Sequence, residues 1–245
     1  MLIMNGSTIL MDIFLGYNMA VIIFDLFGTL IDIDDNQNDY DKALKWLADT
    51  YFENRFIELK KSSKIFKAKY LEDRKKSNRE TSFFNQLTFF ETTLGIEIYD
   101  DFTSIELNFI HLFRREKLID GTHELLQYLI ENNYRIFILS NSIFSGTNLK
   151  IYLDHLGIGK YIEELFSSAD IGFRKPSKEI FTYMINRLEI KNPKEVYFIG
   201  DSLEKDYNGA KNIGFTPILM GVNEEIVDLK FTSIPNLLKY LKITQ

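Results

Sequence analysis

Apolar positions in this chain follow two spacings, and the switch between them divides it into parts. Short runs rich in β-branched and aromatic residues occur at AVIIFD (20–25), YRIFILS (134–140), ELFSS (164–168), EVYFIGD (195–201) and TPILM (216–220). Each has the length of a strand and ends near turn residues, so each is expected to be a buried strand. Between them, residues 123–133, 148–157, 178–190 and 204–214 place apolar side chains at helical spacing. Strand and helix in alternation predict βαβ units, and hence a Rossmann-like, three-layer α/β core whose parallel sheet is covered on both faces. Such a sheet collects its ligand at the carboxyl ends of its strands.

The alternation stops between about residues 32 and 115, where helical spacing takes over. Phe52, Phe56, Leu59, Phe66 and Tyr70 recur at three- and four-residue multiples and form one apolar stripe. Further helices are expected at about 38–50, 82–94 and 100–115. The pattern therefore divides the chain into an extension (1–18), a core (19–31 and 116–245) and an all-helical cap (32–115) inserted after the first strand. An insertion there lies above the carboxyl end of that strand, where a lid belongs. Within it, residues 60–79 carry nine basic residues against two acidic ones. They read either as a solvated helix face or as a cationic surface that draws an anionic ligand toward the cleft.

Composition narrows the ligand. With 245 residues, 45% of them hydrophobic, the chain can bury a substantial core as one large domain or two small ones. Its formal charge of −6 disfavours a polyanion such as nucleic acid. Cysteine is absent, which excludes disulfides, thiolate metal sites and cysteine nucleophiles and agrees with a reducing, cytoplasmic compartment. The first 18 residues lack Lys, Arg and a small-residue cleavage pattern, so no signal peptide is expected. No apolar run reaches the roughly 20 residues of a membrane-spanning helix. A small-molecule partner is the expectation that remains, without nucleic acid or membrane.

Polar residues cluster at four of the expected strand ends. Asp25 ends the first strand and precedes Gly28 and Thr29; Ser140 and Asn141 end the second; Lys175 lies in GFRKPSKEIF; Asp201 and Asp206 lie in GDSLEKD after the fourth. Singly these are ordinary turn and cap residues. Together they place three carboxylates, a lysine and a hydroxyl in one crevice, a costly gathering unless a cation and an anionic ligand share it. Oxygen donors without His or Cys suit Mg2+, and a carboxylate beside such an ion can attack phosphorus. His111, His123 and His155 fall in helical stretches away from these motifs, where surface or helix-end positions are expected.

The four clusters resemble, in order, the motifs of the haloacid dehalogenase superfamily: FDLFGTL (24–30), ILSNS (138–142), RKP (174–176) and IGDSLEKDYNGA (199–210). The resemblance runs from about residue 19 to 220, and the helical insertion looks like the superfamily's helical cap. It implies Mg2+ as cofactor, a small phosphorylated substrate, Asp25 as nucleophile and metal ligand, and an aspartyl-phosphate intermediate. It further implies that Ser140 bonds the transferring group, Lys175 neutralises charge, and Asp201 and Asp206 hold the metal with the backbone carbonyl of Phe27. Thr29 and Asn141, in the same motifs, are expected substrate contacts.

Phe27 departs from the pattern. Most phosphatases of the superfamily carry a second Asp at that place as general acid and base, and a phenyl ring moves no proton. Three readings remain open: a phosphatase whose leaving group needs little protonation or whose cap or substrate supplies the proton, a relative of the 2-haloacid dehalogenases, or a binding protein without turnover. The second calls for an early-cap arginine, for which Arg55 is the candidate, but acidic Asp201 would repel a carboxylate substrate unless a cation intervened.

Overall fold

The computed structural model describes residues 20–32, 37–114, 117–221 and 227–243; the expected extension at 1–18 lies outside them. In chain order the elements are β1 (Val21–Phe24), α1 (Gln37–Tyr51), α2 (Phe56–Ser77), α3 (Phe83–Leu94), α4 (Phe102–Phe113), α5 (Thr122–Glu131), β2 (Arg135–Ser140), α6 (Gly146–His155), β3 (Glu164–Ser167), α7 (Lys178–Arg187), β4 (Val196–Gly200), β5 (Thr216–Met220), β6 (Lys230–Phe231) and α8 (Ile234–Ile243). The strands form one sheet in the order β3-β2-β1-β4-β5-β6, and every pairing is parallel. From β1 the chain winds outward to β2 and β3, then crosses back to β4 on the other side. That reversal opens a crevice at the carboxyl ends of β1 and β4.

Both sheet faces are dry, which explains why the strands read as continuous apolar runs. Ile22, Phe24, Ile136, Ile138, Tyr197 and Ile199 pack on one face with Leu125 of α5, Leu149 of α6 and Leu237 of α8. Ile23, Phe137, Leu139 and Phe198 point the other way, onto Ile180, Phe181 and Met184 of α7. The α/β class and the parallel sheet expected from the sequence are thus observed, with helices packed against both faces.

Helices α1–α4 follow β1 as expected, and their apolar sides join the first of these clusters through Leu44, Leu47, Leu59, Phe83, Leu87, Phe90 and Phe109. The expected stripe breaks at its start. Phe52 is buried in the turn between α1 and α2, where Glu53 and Asn54 take positive φ, and α2 begins only at Phe56. On α2 itself Leu59, Ser62 and Ser63 are the buried residues, because Ser63 Oγ meets the Tyr40 hydroxyl at 2.8 Å. Spacing sees apolar residues and misses small polar ones that are buried with a partner.

Two further differences are local. Residues 204–214, expected as a helix, form a wide turn at Leu203–Asn208, with Tyr207 N bonded to Ser202 O, followed by a short helix at Gly209–Asn212. The segment after residue 220 contributes the edge strand β6 and the helix α8, which buries Ile234, Leu237 and Leu241. A two-residue strand leaves no periodicity to read. Among the described residues no helix is long and apolar enough to cross a membrane.

Candidate active site

β1 and β4 lie side by side in register, Phe24 opposite Ile199, so the residues that follow them emerge together. Asp25 N donates to Ile199 O at 2.8 Å, which fixes the first carboxylate at the mouth of the crevice. Gly28, at φ 88°, then turns the chain so that Thr29 Oγ1 donates to Asp25 Oδ2 at 3.4 Å. After β4 the wide turn brings Asp206 back beneath the strand end, where Ser202 N donates to its Oδ2 at 3.0 Å. This fold-back needs Gly200: a Cβ there would lie 2.5 Å from the Asp206 side chain. One ligand oxygen from each of Asp25, Asp201 and Asp206 lies within 4.8 Å of the others.

Lys175 binds the cluster from inside. Its Nζ donates to Asp25 Oδ1 at 2.5 Å and lies 2.7 Å from Asp206 Oδ1, with its side chain only 1% exposed. Asn141 holds the lysine's backbone at both ends, accepting from Lys175 N at 2.8 Å and donating to Lys175 O at 3.0 Å. The structure therefore brings Asp25, Thr29, Ser140, Asn141, Lys175, Asp201 and Asp206 into one region, with Asn141 turned to the lysine's main chain.

Arg55 is not brought there. Its Nη1 donates to Leu94 O at 2.9 Å, and its Nε lies 3.8 Å from Glu58, within the α1–α4 helices. The histidines are likewise remote from the cluster: His111 and His155 rings pack at 4.5 Å, and His123 meets the Tyr161 hydroxyl.

Electrostatics favour a cation. Burial pushes Asp25 up to about 7, against the pull of Lys175 and reinforced by Asp206. Burial also raises Asp201, with Asp206 adding to it. Burial acts to lower Lys175, but Asp206 and Asp25 outweigh it and hold its proton more tightly than usual. One ammonium cannot balance three carboxylates. Among the described residues, Lys175 Nζ is the one cation that Asp25 Oδ1, at 2.5 Å, and Asp206 Oδ1, at 2.7 Å, share. An all-oxygen set short of positive charge fits Mg2+. The buried Ser140 Oγ has no partner and is available to a ligand oxygen.

A second buried carboxylate joins the α1–α4 helices to the core. Glu80, with a fully buried side chain, accepts from Tyr70 Oη at 2.5 Å, Arg74 Nη2 at 2.9 Å and Ser168 Oγ at 2.7 Å. Arg174, next to Lys175, stands 3.9 Å from it. Ser168 Oγ in turn accepts from Ser142 N, two residues beyond Ser140. In the sequence Glu80 is a lone acid at the end of a basic run, and no spacing marks it as buried. Glu80→Gln is expected to lower stability by about 3 kcal/mol, since it strands two half-buried guanidinium groups. Urea unfolding of the variant tests this, and an unchanged midpoint would show that the contact contributes nothing.

Glu106 of α4 makes a similar junction, accepting from Ser145 N and Oγ and from Asn148 Nδ2 at the start of α6. Between these junctions lies a cavity of about 360 Å3, bounded by Asn141, Ser142 and Phe144 of the core and by Tyr40, Lys67, Gln86 and Arg114.

The family model of haloacid dehalogenase-like hydrolases matches residues 19–214. The HAD-hydrolase YfnB of Bacillus subtilis is 34% identical over 98 residues, 40% of each chain. The match thus spans less than half of that relative. Pyrimidine 5'-nucleotidase PynA of Streptococcus pneumoniae is 27% identical over 204 residues, covering 80% of this chain and 81% of the relative. Among solved structures, magnesium-bound YfnB superposes with a TM-score of 0.57 at 21% identity, over 92% of this chain and 99% of its own. The 2-haloacid dehalogenase of Pseudomonas syringae reaches 0.66 at 15% identity, over 93% and 100%. Both structures share the fold.

Proposed function

The chain belongs to the haloacid dehalogenase-like hydrolases, and on that premise we propose that it is a Mg2+-dependent phosphatase of a small phosphorylated metabolite, acting through an aspartyl-phosphate on Asp25. The observation that carries this reading is the convergence of Asp25, Asp201 and Asp206 around Lys175. A carbon-centred dehalogenase needs no such acidic set, and Arg55, the early-cap candidate for that reading, is engaged at Leu94. Magnesium in the YfnB structure and the nucleotidase activity in the name of PynA support the same reading. A cysteine-free chain acting on a metabolite suits the cytoplasm.

Asp25, Asp206 and Asp201, with the backbone carbonyl of Phe27, would hold the ion. When bound, Mg2+ would offset the carboxylate charge and polarise the phosphoryl oxygens. Asp25 supplies the attacking oxygen, steadied by Thr29 and Lys175. Ser140 Oγ donates to a phosphoryl oxygen, and Lys175 balances charge as the bond to the leaving group breaks. Water then opens the acyl phosphate and releases phosphate. Residues 32–115 act as the cap over this step, and 19–31 with 116–245 as the core.

Phe27 adds no proton. General acid or base help is typically worth about 10^2 to 10^4 in rate, roughly 3 to 5.5 kcal/mol, so leaving groups that depart as stable anions are the ones this site handles. The deciding experiment compares p-nitrophenyl phosphate, acetyl phosphate and 2-chloropropionate with Mg2+ or EDTA. Phosphate release that EDTA abolishes is expected. Chloride release indifferent to EDTA would establish the dehalogenase reading instead.

Ion uptake should depend on pH. Asp25 holds its proton up to about 7 in the folded, metal-free protein, against 3.8 ordinarily, so raising pH across that window costs the metal-free protein stability. Mg2+ has to displace that proton, so its affinity should rise with pH and level off above about 7. Calorimetry in two buffers of different ionisation heat should detect proton release near pH 6 and little near pH 9, about one proton at most. Equal release at both would show that another group titrates.

A further inference from the structure

The segment that joins α2 to α3 pairs with the core immediately before Lys175. Arg174 N donates to Asn78 O at 3.0 Å and Glu80 N to Gly172 O at 3.0 Å, so Arg79 and Phe173 face each other in a short antiparallel bridge. The Arg79 guanidinium lies 5.1 Å from the centre of the Phe173 ring, which adds a cation-π contact. Glu80, whose side chain is fully buried, adds its bond from Ser168 Oγ.

Lys175 follows this bridge directly. Its backbone is held by Asn141 from the end of β2, and the residue before it is held by Asn78 of the cap. The placement of Nζ between Asp25 and Asp206 thus depends on a strip whose other half belongs to the α1–α4 helices.

The same helices meet the core at two more places. Phe83 N donates to Ile143 O at 2.7 Å, with its ring 5.6 Å from that of Phe144, and Glu106 holds the start of α6. A swing of the cap would strip the buried carboxylates of Glu80 and Glu106 of their core partners, and unmatched buried charges are costly. The interface is built to stay shut.

We propose that residues 78–80 are a positioning element for Lys175, and that the cap stays docked on 172–174 through the catalytic cycle as a fixed wall of the site. Substrate then enters by the cavity beside Asn141, which needs no opening at the bridge. The positioning role rests on the phosphatase reading; the docking does not.

The chain contains no cysteine, so the bridge can be closed chemically. Arg79 and Phe173 form the non-hydrogen-bonded type of antiparallel pair, whose Cα atoms are typically about 4.5 Å apart, within the range a disulfide spans. Arg79→Cys/Phe173→Cys should oxidise to an intramolecular crosslink, and the oxidised form should hydrolyse p-nitrophenyl phosphate within about twofold of its own reduced form. Adding Glu80→Gln loosens the bridge. In that triple variant, reduction should lower kcat about tenfold or more with KM changed less than about twofold, and reoxidation should restore it, because the lysine acts on the transferring group. Rates are compared at a temperature where circular dichroism shows both redox forms folded. Hydrogen exchange of the parent protein decides the docking without any variant: the amides of Glu80 and Arg174 should exchange within about tenfold of those in β1 and β4.

Turnover lost on oxidation of the double variant and regained with reductant, or faster exchange at Glu80 and Arg174 than that limit, would show a cap that opens at the bridge. Equal kcat in the two redox forms of the triple variant would remove the positioning role while leaving the phosphatase reading intact. No phosphate release by any form, the parent included, would overturn that reading and the positioning role together, with crosslinking and exchange still deciding the docking.

Discussion

Asp25→Asn is expected to abolish phosphate release, lowering kcat by roughly 10^4-fold or more, while the protein stays folded. An amide is a poor nucleophile, and no other carboxylate shares its position between Thr29 Oγ1 and Lys175 Nζ. The substitution keeps the side chain's shape. Lys175 retains Asp206 at 2.7 Å, and one of three mutually repelling carboxylates is gone, so metal-free stability should hold or rise. Kinetics beside a thermal melt read both effects. Residual activity within about tenfold of the parent would place the nucleophile elsewhere.

Lys175→Met should have the opposite signature, costing stability and activity together. The ammonium is the only cation in contact with Asp25 and Asp206 among the described residues, and its side chain is 1% exposed. Removing one partner of a buried pair typically costs about 3–5 kcal/mol, because the charges left behind are neither hydrated nor matched. The Asp25 part of the loss should grow as pH rises above about 7, because Asp25 ionises near 7 beside the lysine and would hold its proton to higher pH without it. Excess Mg2+ should recover part of it by binding the folded state alone. Turnover should fall by about 10^2-fold or more even with Mg2+, since the charge that stabilises the transferring group is missing. Urea unfolding at neutral and mildly alkaline pH, with and without Mg2+, checks the stability part. Equal midpoints at neutral pH would mean that the acids are balanced by something other than Lys175.

The contrast between the two variants discriminates more than either alone. A merely structural cluster would lose stability when either partner was removed. A site assembled around a metal should tolerate loss of a carboxylate far better than loss of its internal cation.

Much of this protein was legible in the residues alone. Apolar runs of strand length separated by helical spacing dictate a parallel sheet, because a strand buried on both faces has no polar side to show, and Val21–Phe24 and Val196–Gly200 are such strands. Once the sheet is parallel, the residues after β1, β2 and β4 must converge, which is why Asp25, Ser140 and Asp201 could be named as neighbours before any geometry was known. Other features depended on contacts between segments far apart in the chain. The burial of Glu80 against Ser168, 88 positions away, the engagement of Arg55 by Leu94 O and the stacking of Arg114 on Phe27 leave no periodic trace. Periodicity reports which face of an element meets the core. The partner that a single polar side chain finds there is settled only when the segments pack, since desolvation makes an unpaired charge costly and a matched one affordable.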